Sequence, residues 1–87
     1  EFLNYEKLDE LMNALKEEVE SVDEIEKEFA SGVMKRVQKK TGIKGKDLWM
    51  TTRAVITGNV HGPDLDSIMV VLGKQEVLDR INKALNR

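Results

Sequence analysis

The stretch YEKLDELMNALKEEVESV, residues 5–22, carries the pattern that decides the fold of this chain. Its apolar side chains recur at alternating steps of three and four, and most of the positions between them are charged or polar. Because an α-helix has 3.6 residues per turn, this spacing places the apolar side chains on one face. That face comprises Tyr5, Leu8, Met12, Leu15, Val19 and Val22. The sequence therefore predicts an amphipathic first helix, with Asn4 as its N-cap.

Helical spacing continues along the rest of the chain and predicts four more helices. The second begins near residue 23 and stops at Gly42, and the third covers about 46–57 and stops at Gly58. The fourth begins at Pro63 and ends at Gly73, and the fifth covers about 74–85. Alternation typical of a strand does not extend over a useful length. We expect an all-α fold, a compact bundle of about five helices that forms a single domain over residues 1–87.

The composition excludes several classes of function. A chain of 87 residues can bury one modest core. Cysteine is absent, which excludes a disulfide scaffold, a thiolate zinc site and a thiol nucleophile. His61 is the only imidazole and lies next to Gly62-Pro63 in a predicted turn, so we expect no metal site and no catalytic residue. No apolar run approaches the ~18 residues of a membrane span. These features favour a soluble interaction module over a small enzyme.

Charge is distributed unevenly along the chain. Residues 1–28 contain eleven acidic and three basic side chains, a balance of −8, and residues 29–87 contain five acidic and eleven basic ones, a balance of +6. Between residues 35 and 53, seven basic side chains accompany Asp47 as the one acid. This asymmetry indicates a polyanionic partner such as a nucleic acid. Alternatively, the acidic first part complements the basic second part within the fold.

The third predicted helix has a partly basic second face. Lys46, Met50, Arg53 and Thr57 recur at steps of four, three and four, and glycine-containing loops lie on both sides of the helix. A cationic helix face framed by loops suits single-stranded RNA, whose splayed bases are read by edge contacts and stacking. An ordinary surface helix is the alternative. For Trp49, a core position is favoured over a role as a stacking platform.

The segment TGIKGKDLWMTTRAVITGNVHGPDLDSIMVVLGKQEVL, residues 41–78, resembles the C-terminal part of bacterial glutamyl-tRNA synthetases, which are class I enzymes. The family pattern has Pro-Leu where this chain has Thr51-Thr52, a departure that affects helix entry and local packing. The matching motifs are Lys44-Gly45-Lys46, Leu48-Trp49, Met50 with Arg53, Ala54-Val55-Ile56-Thr57-Gly58, Gly62-Pro63, Leu72-Gly73 and Val77-Leu78 with Arg80.

This resemblance implies an anticodon-binding helical domain of a class I aminoacyl-tRNA synthetase. By matching positions, the contacts to the anticodon of the glutamate tRNA fall on Met50, Arg53, Gly62, Pro63 and Leu65. From their charge we infer that Lys44 and Lys46 contact the tRNA backbone.

The resemblance also implies that residues 1–87 are a domain excised from the C-terminal region of a larger cytoplasmic enzyme. That parent would attach glutamate to its tRNA using ATP and Mg²⁺, whereas the signature motifs of class I synthetases for ATP are absent from these residues. We therefore expect no cofactor in this fragment, and partners that are the glutamate tRNA and the remaining domains of the synthetase, with no membrane. The alternative is an α-helical protein-interaction module whose basic patch binds an acidic protein surface.

Overall fold

Four α-helices make up the secondary structure of residues 5–58 and 64–86, which are the residues described by the computed structural model of the chain. They are α1 (Tyr5–Glu20), α2 (Lys27–Thr41), α3 (Lys46–Thr57) and α4 (Leu65–Leu85). The predicted all-α class is confirmed, and the bounds of α3 are those expected from its sequence. None of these helices is both long and apolar enough to span a bilayer.

The helix count differs from the prediction because the fourth and fifth helices are joined. α4 continues through Gly73, whose backbone angles (φ 85°, ψ 167°) are not helical. A residue with a side chain rarely adopts this positive φ, so glycine permits a sharp kink here without ending the element. The expected break at Gly73 is therefore confirmed, and the helical segments 65–72 and 74–85 meet there at a kink without a connecting loop. Asn4 and Pro63, the predicted helix starts, lie outside the described residues.

The connection between α1 and α2 is longer than predicted. α1 ends at Glu20 and α2 begins at Lys27, so the expected start near residue 23 is wrong. The hydroxyl of Ser21 donates a hydrogen bond of 2.6 Å to the Glu18 carbonyl, and such local bonds compete with helix propagation. Ile25 in this connection is buried, which anchors the non-helical segment to the core.

The core lies where the apolar faces of all four helices meet. Every helix contributes fully buried side chains, and the predicted stripe of α1 supplies Met12, Leu15 and Val19. Thr51 and Thr52 are also buried, on the inner side of α3. The buried apolar residues are Leu11, Met12, Ala14, Leu15, Val19, Ile25, Ala30, Val33, Met34, Val37, Ile43, Leu48, Ile56, Leu65, Met69, Val77 and Ile81.

Glycines in the left-handed conformation end both α2 and α3. Gly58 adopts a left-handed conformation (φ 81°) and donates its backbone N–H to the Ala54 carbonyl at 2.8 Å. This geometry closes the last turn and turns the chain away from the helix axis, as glycine commonly does at helix ends. Gly42 ends α2 in the same way. The predicted stops of α2 at Gly42 and of α3 at Gly58 are confirmed.

Candidate nucleic-acid interface

α3 is held in place by its inner side and by a contact from α4. Leu48 and Ile56 are fully buried. The guanidinium of Arg80 donates hydrogen bonds to the Ile56 carbonyl and, at 2.8 Å, to the Glu76 carboxylate. Carbonyl groups in the last turn of a helix lack partners within the helix, and a cation is favoured there. Arg80 therefore links α4 to the C-terminal end of α3. The side of α3 opposite its buried residues faces outward.

The structure brings the predicted RNA-facing residues of α3 to this outer side. Lys46 is exposed, and Met50, Arg53 and Thr57 are partly exposed. The Thr57 hydroxyl donates to the Arg53 carbonyl at 2.7 Å, which keeps that side chain close to the helix surface. Lys44 is exposed in the preceding loop. Lys46, Met50, Arg53 and Thr57 therefore lie on one partly cationic side of α3, as their spacing predicted.

A cleft of about 270 Å³ adjoins this surface, between α2, α3 and the start of α4. Trp49 and Arg53, one turn apart, form the α3 wall, and Asp64 and Asp66 come from the start of α4. The remaining lining residues are Ala30, Ser31, Met34, Leu65 and Met69. Because these residues come from three helices, no local spacing pattern in the sequence could have indicated the cleft.

Trp49 is 47% exposed, so the expectation that it fills the core is wrong. The buried positions of α3 are Leu48, Thr51, Thr52 and Ile56, which follow the steps of one helix face. Position 49 lies only about 20° around the helix axis from the fully buried Ile56, two turns later, so its exposure follows from the open cleft that Trp49 lines and not from its position on the helix. Two small threonines occupy the inner side in its place. The sequence signal that places Trp49 beside Arg53 on the helix surface was the four-residue step between them.

The remaining residues predicted to contact the anticodon are Gly62, Pro63 and Leu65. Gly62 and Pro63 lie outside the described residues. Leu65 lines the cleft but is only 2% exposed, because its side chain packs into the core. A ligand in the cleft would therefore meet the edge of Leu65 and not a projecting side chain. Asp64 and Asp66, which flank it, were not singled out by sequence reasoning.

Part of the basic stretch is paired within the fold. Arg36 contacts Glu18 at 2.7 Å, and Lys40 contacts Glu18 at 2.9 Å and Glu17 at 3.2 Å. The Arg36 guanidinium also lies 5.1 Å from the centre of the Phe29 ring. For these two cations, the alternative that the acidic first part complements the basic second part is correct.

These pairs shift the protonation equilibria of the groups involved. Burial of Glu18 disfavours its charged form, but the hydrogen bonds and charges of Lys40 and Arg36 outweigh that effect and lower its pKa. The hydrogen bond to Glu18, followed by that to Glu17, raises the pKa of Lys40. These ion pairs join α1 to α2.

Other cations of the basic stretch remain available to a ligand. Within residues 5–58 and 64–86, Lys35, Lys39, Lys44 and Lys46 are exposed and make no ion pair. Lys44 lies in the loop before α3 and Lys46 is the first residue of α3, whereas Lys35 and Lys39 lie on α2. Of the cations near α3, Arg53 lines the cleft, and Lys44 and Lys46 lie at the start of the helix.

Residues 5–58 and 64–86 contain neither a metal-binding cluster of side chains nor a phosphate-binding loop of the usual kind. Among them, no three carboxylate or imidazole groups lie close enough together to hold a metal ion. The glycine-containing segment from Gly42 to Lys46 follows a helix and not a strand, and it lacks the Ser or Thr that a phosphate-binding loop places after its lysine.

Comparisons with known proteins show the family of the chain. Residues 1–85 match the anticodon binding domain family. The chain is 97% identical over 87 residues to the glutamate–tRNA ligase of Finegoldia magna, covering all of this chain and 18% of that protein. It is 44% identical over 81 residues to the glutamate–tRNA ligase of Clostridioides difficile, covering 93% of this chain and 16% of that protein.

A third relative is covered more completely. The chain is 43% identical over 83 residues to a glutamate–tRNA ligase of Staphylococcus xylosus, covering 95% of this chain and 69% of that sequence. No solved structure gives a significant match. The chain spans less than a fifth of the length of the first two relatives. The family match covers residues 1–85, and the helical fold and the partly cationic face of α3 are in agreement with it. The chain therefore belongs to the anticodon-binding domain family, in a form that it shares with glutamate–tRNA ligases.

Proposed function

We propose that this chain is the part of a glutamate–tRNA ligase that binds the anticodon of the glutamate tRNA. The observation that carries the proposal is the outer side of α3, where Lys46, Met50 and Arg53 lie together beside a cleft with an exposed tryptophan. A loop of unpaired bases needs both positive charge for its phosphates and apolar or planar groups for its bases. The outer side of α3 offers both.

Different residues of this surface would perform different tasks. Arg53 presents a planar fork of donors that suits the edge of one unpaired base, and Met50 presents apolar surface to the same base or its neighbour. Lys44 and Lys46 would contact phosphates, which position the RNA without reading its sequence. Gly62, Pro63 and Leu65 complete the set of anticodon contacts that the family resemblance implies.

The remainder of the reaction belongs to the rest of the longer protein. As a class I aminoacyl-tRNA synthetase, that cytoplasmic parent would activate glutamate with ATP and Mg²⁺ and transfer it to the tRNA. Residues 1–87 would act as one of its domains and supply recognition of the tRNA. This division of labour is supported by the names of the relatives and by the small share of their length that the chain spans.

A salt series distinguishes anticodon binding from general attraction. Binding of the chain to the glutamate tRNA and to variants with single changes in the anticodon is measured at increasing salt concentrations. We expect the chain to prefer the unchanged anticodon at every salt concentration, because base contacts add to the shared phosphate attraction. Equal affinity for all anticodons at every concentration would contradict the proposal and favour a protein-interaction module with a basic patch.

Matched lysine variants locate the phosphate contacts. Replacing both Lys44 and Lys46 with alanine should weaken binding of all these tRNAs alike and lower the salt slope by about 0.7 for each phosphate that is no longer neutralised. The control replaces Lys35 and Lys39, two equally exposed lysines on α2, and should leave the slope nearly unchanged. If the two double variants behave alike, the tRNA does not bind along the start of α3.

A further inference from the structure

An exposed apolar surface lies on the first half of α4, apart from the cleft. Val71 is 84% exposed and Val70 is 38% exposed, and with Trp49 they are the exposed large apolar side chains of residues 5–58 and 64–86. An open groove of about 210 Å³ beside Val71 is lined by Ser67, Ile68, Val71 and Leu72. Because a helix in water normally exposes charged or polar side chains, a continuous apolar surface of this kind marks an interaction site.

The groove and the cleft lie on opposite sides of the same helical segment. Successive residues of an α-helix are about 100° apart, which places Val71 about 160° around the axis from Met69. Met69 is fully buried and lines the cleft, so the Val71 side chain points away from both the core and the cleft. An RNA bound at the cleft would therefore leave the groove uncovered.

The charge of this segment restricts what can cover the groove. Residues 64–73 contain no Lys or Arg, and residues 67–73 contain no charged side chain, although charged residues make up 34% of the chain. Nucleic acids and anionic membrane surfaces attract proteins through positive charge, so neither suits this groove. Depletion of charge around exposed apolar side chains is typical of the centre of an interface with another protein surface.

The small size of the surface favours a partner that is covalently connected. Residues 67–72 span about 7.5 Å along the helix axis. Interfaces between separate proteins bury about 800 Å² on each partner, more than four side chains on less than two helical turns provide. A partner on the same polypeptide has a high effective concentration and needs less surface. Most of the length of the relatives could supply such a partner, because this chain spans only 18% and 16% of two of them.

Resting on the proposed function, in which the chain is one domain of a longer glutamate–tRNA ligase, we infer that the groove beside Val71 is a docking site for another part of that same polypeptide. The docked surface is uncharged and apolar, and it covers Val71. Leu65 and Met69, on the inner side of the same helical segment, line the cleft. Docking therefore supports the α4 side of the cleft from behind and fixes the anticodon-binding side relative to the rest of the enzyme.

The reactivity of introduced thiols tests docking in the complete ligase. This chain has no cysteine, so Val71→Cys and Lys46→Cys each place a thiol at a known position, and mass spectrometry follows its reaction with a maleimide. Both positions are exposed in the domain and would react alike if nothing covered them. We expect the thiol at position 71 to react at least about tenfold more slowly, with each rate normalised to the unfolded protein.

Position 46 is the matched control because the proposed function requires it to be open until RNA binds. Its thiol should react freely in the complete ligase and more slowly once the glutamate tRNA is added. The tRNA should leave the rate at position 71 unchanged, since the groove lies on the side of α4 away from the cleft.

A charge placed in the groove tests what docking does. Val71→Asp puts a carboxylate into an apolar contact, where the loss of its hydration opposes docking. We expect the complete ligase with this change to bind the anticodon stem-loop of the glutamate tRNA normally. Its kcat/KM for charging the whole tRNA should fall about tenfold, because the anticodon-binding side is no longer fixed relative to the catalytic part. Val71→Ile keeps the apolar surface and should charge the tRNA normally.

Different results would overturn different parts of the inference. Equal maleimide rates at positions 71 and 46 in the complete ligase would show that nothing covers the groove. Protection of position 71 that disappears on dilution would show that a second copy of the protein occupies it. Normal charging by the Val71→Asp variant would show that the contact does not position the domain. Failure of the unmutated ligase to bind the stem-loop would contradict the proposed function, whereas protection at position 71 would still measure docking.

Discussion

The α1–α2 pair and the α3–α4 pair use similar side chains for different purposes. Between α1 and α2, Arg36 and Lys40 are held by Glu17 and Glu18 in hydrogen-bonded ion pairs. Along the outer side of α3, Lys46 is exposed, and a tryptophan lines an open cleft. Arg36 and Lys40 are engaged within the fold, whereas the outer side of α3 leaves Lys46 and Trp49 exposed beside a cleft. A count of charges along the sequence does not distinguish these two situations.

The largest effect should follow from removing the inner support of α3. Leu48→Ala deletes most of a fully buried side chain and should lower the free energy of unfolding by about 3 kcal/mol, within the range for such cavities. RNA binding should fall with the folded fraction, because the outer side of α3 loses its anchor. Denaturant unfolding measures the change.

The control for this prediction is Val71→Ala, at a position that is 84% exposed, which should change stability by less than about 0.5 kcal/mol. Equal effects of the two substitutions would show that α3 is not held by its inner face.

The next largest effect should come from substitutions of Arg53, which distinguish electrostatic attraction of the tRNA from recognition of its bases. Arg53→Ala should cost about 1–3 kcal/mol in binding to the glutamate tRNA and relax discrimination at one anticodon position. Arg53→Lys keeps the charge but loses the planar fork, so it should recover general affinity without the discrimination. Titration of both variants with tRNAs that differ at single anticodon bases measures this. If the Arg53→Lys variant discriminated between these tRNAs as well as the unmutated chain does, Arg53 would be an ordinary surface charge and not a base contact.

The hydroxyl groups of threonine side chains also differ between α2 and α3 in their hydrogen bonding. In α2, the Thr41 hydroxyl donates to the Val37 carbonyl at 2.9 Å and accepts the N–H of Ile43 at 3.1 Å. In α3, the hydroxyls of Thr51 and Thr52 are buried and make no hydrogen bond to the described residues. An unpaired buried hydroxyl is destabilising, because it loses its bonds to water without replacing them.

Thr52→Val should therefore stabilise the protein. The shape of the side chain is kept and the hydroxyl is removed, so we expect a gain of about 1 kcal/mol and a rise in Tm of about 4–8 °C. The comparison variant is Thr41→Val, which removes a hydroxyl that has partners and should lower Tm. Thermal unfolding followed by circular dichroism measures both, and an increase for Thr41→Val with a decrease for Thr52→Val would contradict this view of the two hydroxyls.

The smallest expected effect concerns the ion pairs of Glu18. Its pKa is lower in the folded state than in the unfolded state, so its charge stabilises the fold at neutral pH. This contribution is fully present above the unfolded pKa and is lost as the pH falls through the folded pKa. Glu18→Gln should thus lower stability slightly at pH 7, and the difference from the unmutated chain should disappear at strongly acidic pH.

Denaturant unfolding at several pH values measures this difference. Glu20→Gln, which removes an exposed carboxylate from the same helix, is the control and should show a smaller dependence on pH. A Glu18→Gln difference that persists unchanged at acidic pH would mean that the ion pairs do not link α1 and α2.

Sequence reasoning located the outer side of α3 but not the cleft beside it. The steps between Lys46, Met50 and Arg53 are local, and a helix converts them directly into a shared face. Asp64, Asp66 and Met34 lie far from Trp49 in sequence, and they meet it only because α2 and α4 pack against α3. The family resemblance indicated contact residues individually, and it did not indicate which surfaces would be open.

What the sequence determined by itself is the set of properties that depend on neighbours within about one helical turn. Helical periodicity, the stops at Gly42 and Gly58 and the break at Gly73 follow from local sterics and from the 3.6-residue repeat. The tertiary structure alone decided which cations are paired, why Trp49 stays exposed and where a cleft opens. These depend on which helix faces meet, and that choice is made by the burial of apolar surface from all four helices together.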